Sequence, residues 1–217
     1  MIALIRYALA TTLHAQRYLA PVLLYFGAVG ISSGDNSGPM AGVYALNSAI
    51  LLICAAWLTM TVLNAAEPAH RAITITAARG PVRVLLADIL VALLLAAGLM
   101  LIGLFLPLAL MPRPLTGPDL LTGALTHLLC ASIGLGIGLL CSRLVIRRQG
   151  WALIIALAAV ACSLLITGTP PNLLFKALAT TTHADDALPL AAGLFPLGLA
   201  ILALAATATH QISIRKD

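Results

Sequence analysis

Five histidines and four cysteines are the groups in this chain best suited to acid–base, nucleophilic or metal chemistry. Such chemistry needs its partners at one depth, within hydrogen-bond reach. The histidines do not meet that condition. His14, His70 and His183 fall in surface segments, His127 lies in the outer half of an apolar run, and His210 closes the last run. No His-x-x-x-His or paired-aspartate arrangement occurs in an apolar run, so no metal site is expected. Cys54, Cys130, Cys141 and Cys162 all sit inside apolar runs, without the placement of a disulfide framework or the spacing of a zinc site. They read as small apolar packing residues. Asp88 is the one acidic residue close to a membrane core, and an ionisable group there is a functional candidate by default. It lies near the end of its run, five positions beyond Arg83, where it pairs with Arg83 or faces headgroups.

The elements that would position these groups follow from composition. Hydrophobic residues make up 61% of the 217-residue chain and charged residues 9%, with a mean hydropathy of +1.07. A soluble domain carries roughly a quarter of its residues charged, so this chain needs lipid as solvent. A helix crosses a hydrocarbon core about 30 Å thick with about twenty apolar residues. Six stretches can do this, near residues 17–33, 41–64, 82–106, 120–142, 151–169 and 188–209, the first being the shortest. Turn residues and charge fill the gaps, as in Ser32-Ser33-Gly34-Asp35-Asn36-Ser37-Gly38-Pro39. The expectation is an all-α integral membrane protein, one transmembrane domain over residues 1–217.

Lys and Arg on alternate sides orient the spans, because the loops are short. One side holds Arg6, Arg17, Arg71, Arg79, Arg83, Arg143, Arg147, Arg148, Arg215 and Lys216; the other holds only Arg113 and Lys176. Ten against two makes the first side cytoplasmic and puts both termini there. Asp35, Asp119, Asp185 and Asp186 fall opposite. Twelve basic residues scattered in short loops form no stripe, which argues against nucleic acid as a partner.

Three segments are not simple spans. Residues 1–16 carry Ile2, Ile5, Leu9 and Leu13 at helical spacing, which reads as an interfacial amphipathic helix or a basic lead-in to the first span. Between the second and third spans, Pro68 and Gly80-Pro81 bracket a helix over residues 67–79. Glu67 precedes its start and Arg79 lies in its last turn, as the helix dipole favours. A hairpin needs only a few linking residues, so a capped helix here reads as a surface to be touched, with a solvated linker as the plainer alternative. The segment from Pro170 to Asp186 is too apolar for a plain loop and either re-enters the outer face or lies on it. Within the spans, Ser132, Gly134, Gly136 and Gly138 form a small-residue packing face. Asn47, Thr59, Thr61 and Asn64 are polar groups that either line a pathway or bond to neighbours.

This order of parts resembles the permeases of ABC-2-type exporters, which serve in drug, antibiotic and lipid-linked polysaccharide export. The resemblance covers nearly the whole chain and rests on the interfacial helix, the six spans, the helix at residues 67–79 and the apolar piece before the last span. It implies that Glu67, His70, Arg71, Thr74, Arg79, Gly80 and Arg83 form a coupling region that docks on an ATPase. It further implies two copies of the permease, more readily identical than different, and two separate ATPase subunits that bind ATP and Mg. No Gly-x-x-x-x-Gly-Lys-Ser/Thr occurs in the chain itself, so it is not expected to be an enzyme. The substrate class would be amphipathic or hydrophobic, a drug, antibiotic peptide or lipid, and the location a bacterial cell membrane. The alternatives are a membrane-embedded protease or lipid transferase and a non-catalytic membrane assembly subunit.

Overall fold

A computed structural model describes residues 1–34, 40–110, 117–146, 148–180 and 184–214. Asp35, Arg113, Arg147, His183, Arg215 and Lys216, invoked above as topology or loop residues, lie outside them. The described residues form helices and turns with no strand. In order they are α1 (Ile2–His14), α2 (Leu19–Ser32), α3 (Met40–Leu63), α4 (Pro68–Ala77), α5 (Pro81–Leu110), α6 (Gly117–Leu140), α7 (Gln149–Leu165), α8 (Pro170–Thr180), a 3-10 turn (Ala184–Ala187) and α9 (Leu188–Ile214). A helix satisfies its own backbone hydrogen bonds, which apolar surroundings demand.

Among the described residues, α3, α5, α6 and α9 are each long and apolar enough to cross a membrane. Helices α7 and α8 together make a fifth such unit, bent by 43° at a short break. The break has local causes: Gly168 takes φ +100, and the hydroxyl of Thr169 donates to Ser163 O at 2.6 Å. The Asn172 amide donates to Leu164 O at 2.7 Å, so side chains satisfy carbonyls that the break frees. The segment that sequence alone left as re-entrant or surface-lying is thus a helix that turns its buried Leu174 and Leu178 into the core. The remaining apolar helix, α2, has 14 residues, about 21 Å of rise. It falls short of the span expected at residues 17–33.

Helices α3 and α6 form the centre of the bundle and share its most extensive interface. They run parallel: Tyr44 lies against Gly123, Leu52 against Gly134, and Thr59 against Gly138. Helix α9 also runs parallel to α6, with Gly198 at Leu129 and Gly136 near Ala205. Helix α5 runs the other way, its Leu85 and Ile89 packing with Leu63 and Leu139 at the end where α3 and α6 finish. A Cβ on Gly134 would meet Leu52 O at 2.5 Å, and one on Gly138 would meet Ala56 O at 2.6 Å. Both glycines let two backbones touch, the small-xxx-small geometry of membrane helices. The four small residues do not share one face, however. Gly136 points toward Ile201 and Ala205 of α9, because two positions along a helix turn the direction by about 200°.

Candidate functional site

Asp88 and the residues from Glu67 to Arg83 singled out from sequence gather at the end of the bundle where α1, α4 and the start of α5 meet. Helix α4 has ten residues and opens on a proline, whose missing N–H costs nothing in a first turn. Glu67 takes the N-cap position with extended backbone, but its side chain makes no capping bond. Its carbonyl accepts from Arg71 N at 2.9 Å, so it supplies the first helical bond while its carboxylate stays exposed. At the other end Ala78 is the C-cap. Gly80 N donates to Ile75 O at 3.1 Å and Arg79 N to Thr76 O at 3.2 Å, the two bonds of a Schellman stop. That stop puts Arg79 at φ 58 and Gly80 at φ 145. Arg79, expected in the last turn, therefore lies just beyond it.

The first residues of α5 return beside α4, and one ion pair fastens the two. The Arg71 guanidinium donates to the Asp88 carboxylate at 3.0 Å, with side chains 16% and 10% exposed. The expected partner was Arg83, and the structure corrects this. Residues five apart on a helix point about 140° away from each other, so Arg83 turns outward while Asp88 turns in. Arg83 instead donates to Ala78 O at 3.3 Å, closing over the end of α4. Among the described residues Arg71–Asp88 is the one ion pair. No residue of α4 with a described side chain is buried. His70, Ile73 and Arg79 are exposed, and Thr74 bonds only to His70 O within the helix, at 2.8 Å.

Helix α1 completes this end. Ile5, Ala8 and Leu9 pack on Val62, Val91 and Ala92, and Thr12 is fully buried with its hydroxyl donating to Ala8 O. Helix α1 has 13 residues and one packed side. Its other side faces α4 across a cleft of about 600 Å³ walled by Leu4, Tyr7, Ile73 and Thr74 and edged by Arg79 and Arg83. A smaller recess beside it holds Tyr7, Thr11, Arg71 and Asp88.

The four polar residues considered for a pathway do not form one surface. Asn47 on α3 and Asn64 just past its end are 17 positions apart, about 25 Å. Thr59 and Thr61 donate to Ala55 O and Trp57 O of their own helix. Asn64 accepts from Arg143 N at 3.0 Å, tying the end of α3 to the end of α6. Asn47 belongs to a second polar centre in the other half of the bundle. Its Oδ1 accepts from Ser32 at 2.6 Å and its Nδ2 donates to Gly103 O at 3.3 Å, joining α2, α3 and α5. Gly103 is also where the Tyr25 hydroxyl and His127 Nε2 converge, both buried without a partner. His127 Nδ1 lies 2.8 Å from Gly123 O and its ring meets Tyr44 edge-on at 6.1 Å. Sequence reasoning missed Tyr25, because nothing in a lone tyrosine on an apolar helix signals a neighbour 102 positions later. This centre has one histidine, and no group of three metal-ligating side chains occurs among the described residues. Compared with protein families, with curated proteins and with solved structures, the chain matches none.

Proposed function

We propose that this protein is the membrane subunit of an ATP-driven exporter, docked on a separate ATPase through α4 and paired with a second copy of itself. The observation that carries the reading is the Arg71–Asp88 pair. It joins an exposed ten-residue helix to a 30-residue apolar helix that runs the length of the bundle. A push on α4 therefore reaches α5 through a direct, partly buried contact. Ion pairs of this kind cost much to break when one partner is removed, which makes them fit to transmit force.

The topology supports the same reading. Helices α3, α6 and α9 run one way and α5 the other, which fits an alternation of six passes with both termini on the basic, cytoplasmic side. The short α2 would make its pass together with the turn from Gln16 to Tyr18. Nucleotide-driven closure of two ATPase subunits, which hold ATP and Mg, would move both copies of α4 and rock the bundles against each other. Differential contact with α4 in the two states is what biases them. An amphipathic or hydrophobic drug, antibiotic peptide or lipid is the substrate class that an apolar bundle with few polar groups accommodates.

The test is a pull-down of the tagged chain from solubilised native membranes. A soluble nucleotide-binding subunit should co-purify, and Glu67→Ala with His70→Ala, which alter only exposed side chains, should release most of it. Arg71→Ala should leave the ATPase bound but uncouple substrate-stimulated hydrolysis. Absence of any nucleotide-binding subunit, under conditions that preserve other such complexes, sinks the proposal and leaves a membrane assembly subunit as the reading.

A further inference from the structure

The cleft between α1 and α4 joins a cationic edge to an exposed apolar stripe on α5. Its edge is cationic: Arg79 and Arg83 are both exposed and neither is in an ion pair, while His70 adds a third basic group. The acids nearby do not neutralise it. Asp88 is committed to Arg71, and Glu67 sits at the opposite end of α4, ten residues before Ala77. The walls are apolar, from Leu4, Tyr7 and Ile73.

The second feature is what lies above the cleft. Arg83, Leu86, Leu90 and Leu94 follow the spacing i, i+3, i+7 and i+11, so they share one face of α5. The three leucines are each at least 40% exposed among the described residues. A guanidinium at the foot of an exposed apolar stripe, on a helix that crosses the membrane, has the shape of an amphiphile: charge at the interface, hydrocarbon above. Its complement carries an anionic head and an acyl tail.

We infer that the α1–α4 cleft is a binding site for an anionic phospholipid, with the headgroup phosphate on Arg79 and Arg83 and an acyl chain along Leu86, Leu90 and Leu94. Juxtamembrane arginines attract anionic headgroups by about 1 kcal/mol each, so two of them should give about thirtyfold preference over a zwitterionic lipid. Bound there, the lipid would wedge α1 against α4, since Tyr7 and Ile73 face the same space. The site does not depend on whether an ATPase docks on α4.

Native mass spectrometry of the purified full chain decides the matter. Titration with dioleoyl phosphatidylglycerol and, separately, dioleoyl phosphatidylcholine should show retention of the anionic lipid at about thirtyfold lower concentration. Arg79→Gly with Arg83→Gln should abolish that preference. Glycine suits the φ of 58 at position 79, so this pair removes charge without adding strain. Arg143→Gln with Arg148→Gln removes the same charge from exposed positions elsewhere and should leave the preference intact. Equal retention of the two lipids, or an equal loss in both double variants, overturns the site. So does a cleft variant that keeps its lipid preference while losing a co-purifying ATPase, because the cleft would then belong to the protein partner.

Discussion

Two interfaces of this molecule are built on opposite principles. Between α3 and α6, glycines bring backbones into contact, and a single added methyl at Gly134 would strike the Leu52 carbonyl. Between α4 and the rest, there is a cleft, one ion pair and no buried side chain among those described. The first arrangement has one way to fit. The second has many, with a single electrostatic tether choosing among them. Packing of the first kind tolerates little displacement, since dispersion falls away within a fraction of an ångström. A hinged piece on a rigid frame is what the difference amounts to, and the frame is where mutations should cost most.

The largest effect should come from Gly134→Val. Its Cβ has no room beside Leu52 O at 2.5 Å and the Ala55 methyl at 3.0 Å, so the helices must part. Overpacking of this kind costs about 3 kcal/mol, and the measurement is the melting temperature of the purified protein. Gly98→Ala on α5 meets nothing within 4 Å and should leave stability unchanged or raise it by up to about 1 kcal/mol. A similar loss in both variants would break the comparison.

Asp88→Asn should act on the hinged piece. Removing the charge strands Arg71, whose side chain is 16% exposed, and should release α4 by about 2 kcal/mol. Amide exchange in residues 72–77 should quicken roughly thirtyfold while the α3 and α6 amides keep their protection. Equal loosening of all three helices would show that α4 is part of the frame.

A smaller effect of opposite sign is expected at the Schellman stop. Arg79→Gly relieves a non-glycine residue at φ 58 and should slow exchange in α4, by a gain of about 1 kcal/mol or less. Gly80→Ala at φ 145 should do the reverse. The smallest change belongs to Thr61→Ala. That hydroxyl donates to Trp57 O of its own helix at 2.9 Å, and its loss should move stability by no more than about 0.5 kcal/mol. A strong effect on transport with stability intact would return Thr61 to a substrate path.

Much of this arrangement was legible before any coordinates. The apolar runs around α3, α5, α6 and α9 stood out because hydropathy over about twenty residues is a local property. Helix α4 was found within two residues at its end, since proline and glycine fix backbone angles wherever they stand. Glu67, His70 and Arg79, at and around α4, are exposed, as polar residues of a bracketed segment should be. The partner of Asp88 was not. Sequence offered Arg83 by proximity, while the turn at Arg79-Gly80 carries α4 back so that Arg71, 17 positions away, reaches the carboxylate first.

By itself, then, the sequence determined that this chain belongs in lipid, which stretches are helical, and that a short capped helix stands between two of the longest. Tertiary structure alone decided that Gly134 and Gly138 face α3 while Gly136 faces α9, and that α7 bends into α8. It also decided that Tyr25, Asn47, Gly103 and His127 converge, and that Asp88 holds Arg71. The physical reason is range: hydropathy, turns and caps act over a few residues, whereas the choice of contact belongs to how whole helices rotate and slide until their glycines and charges meet.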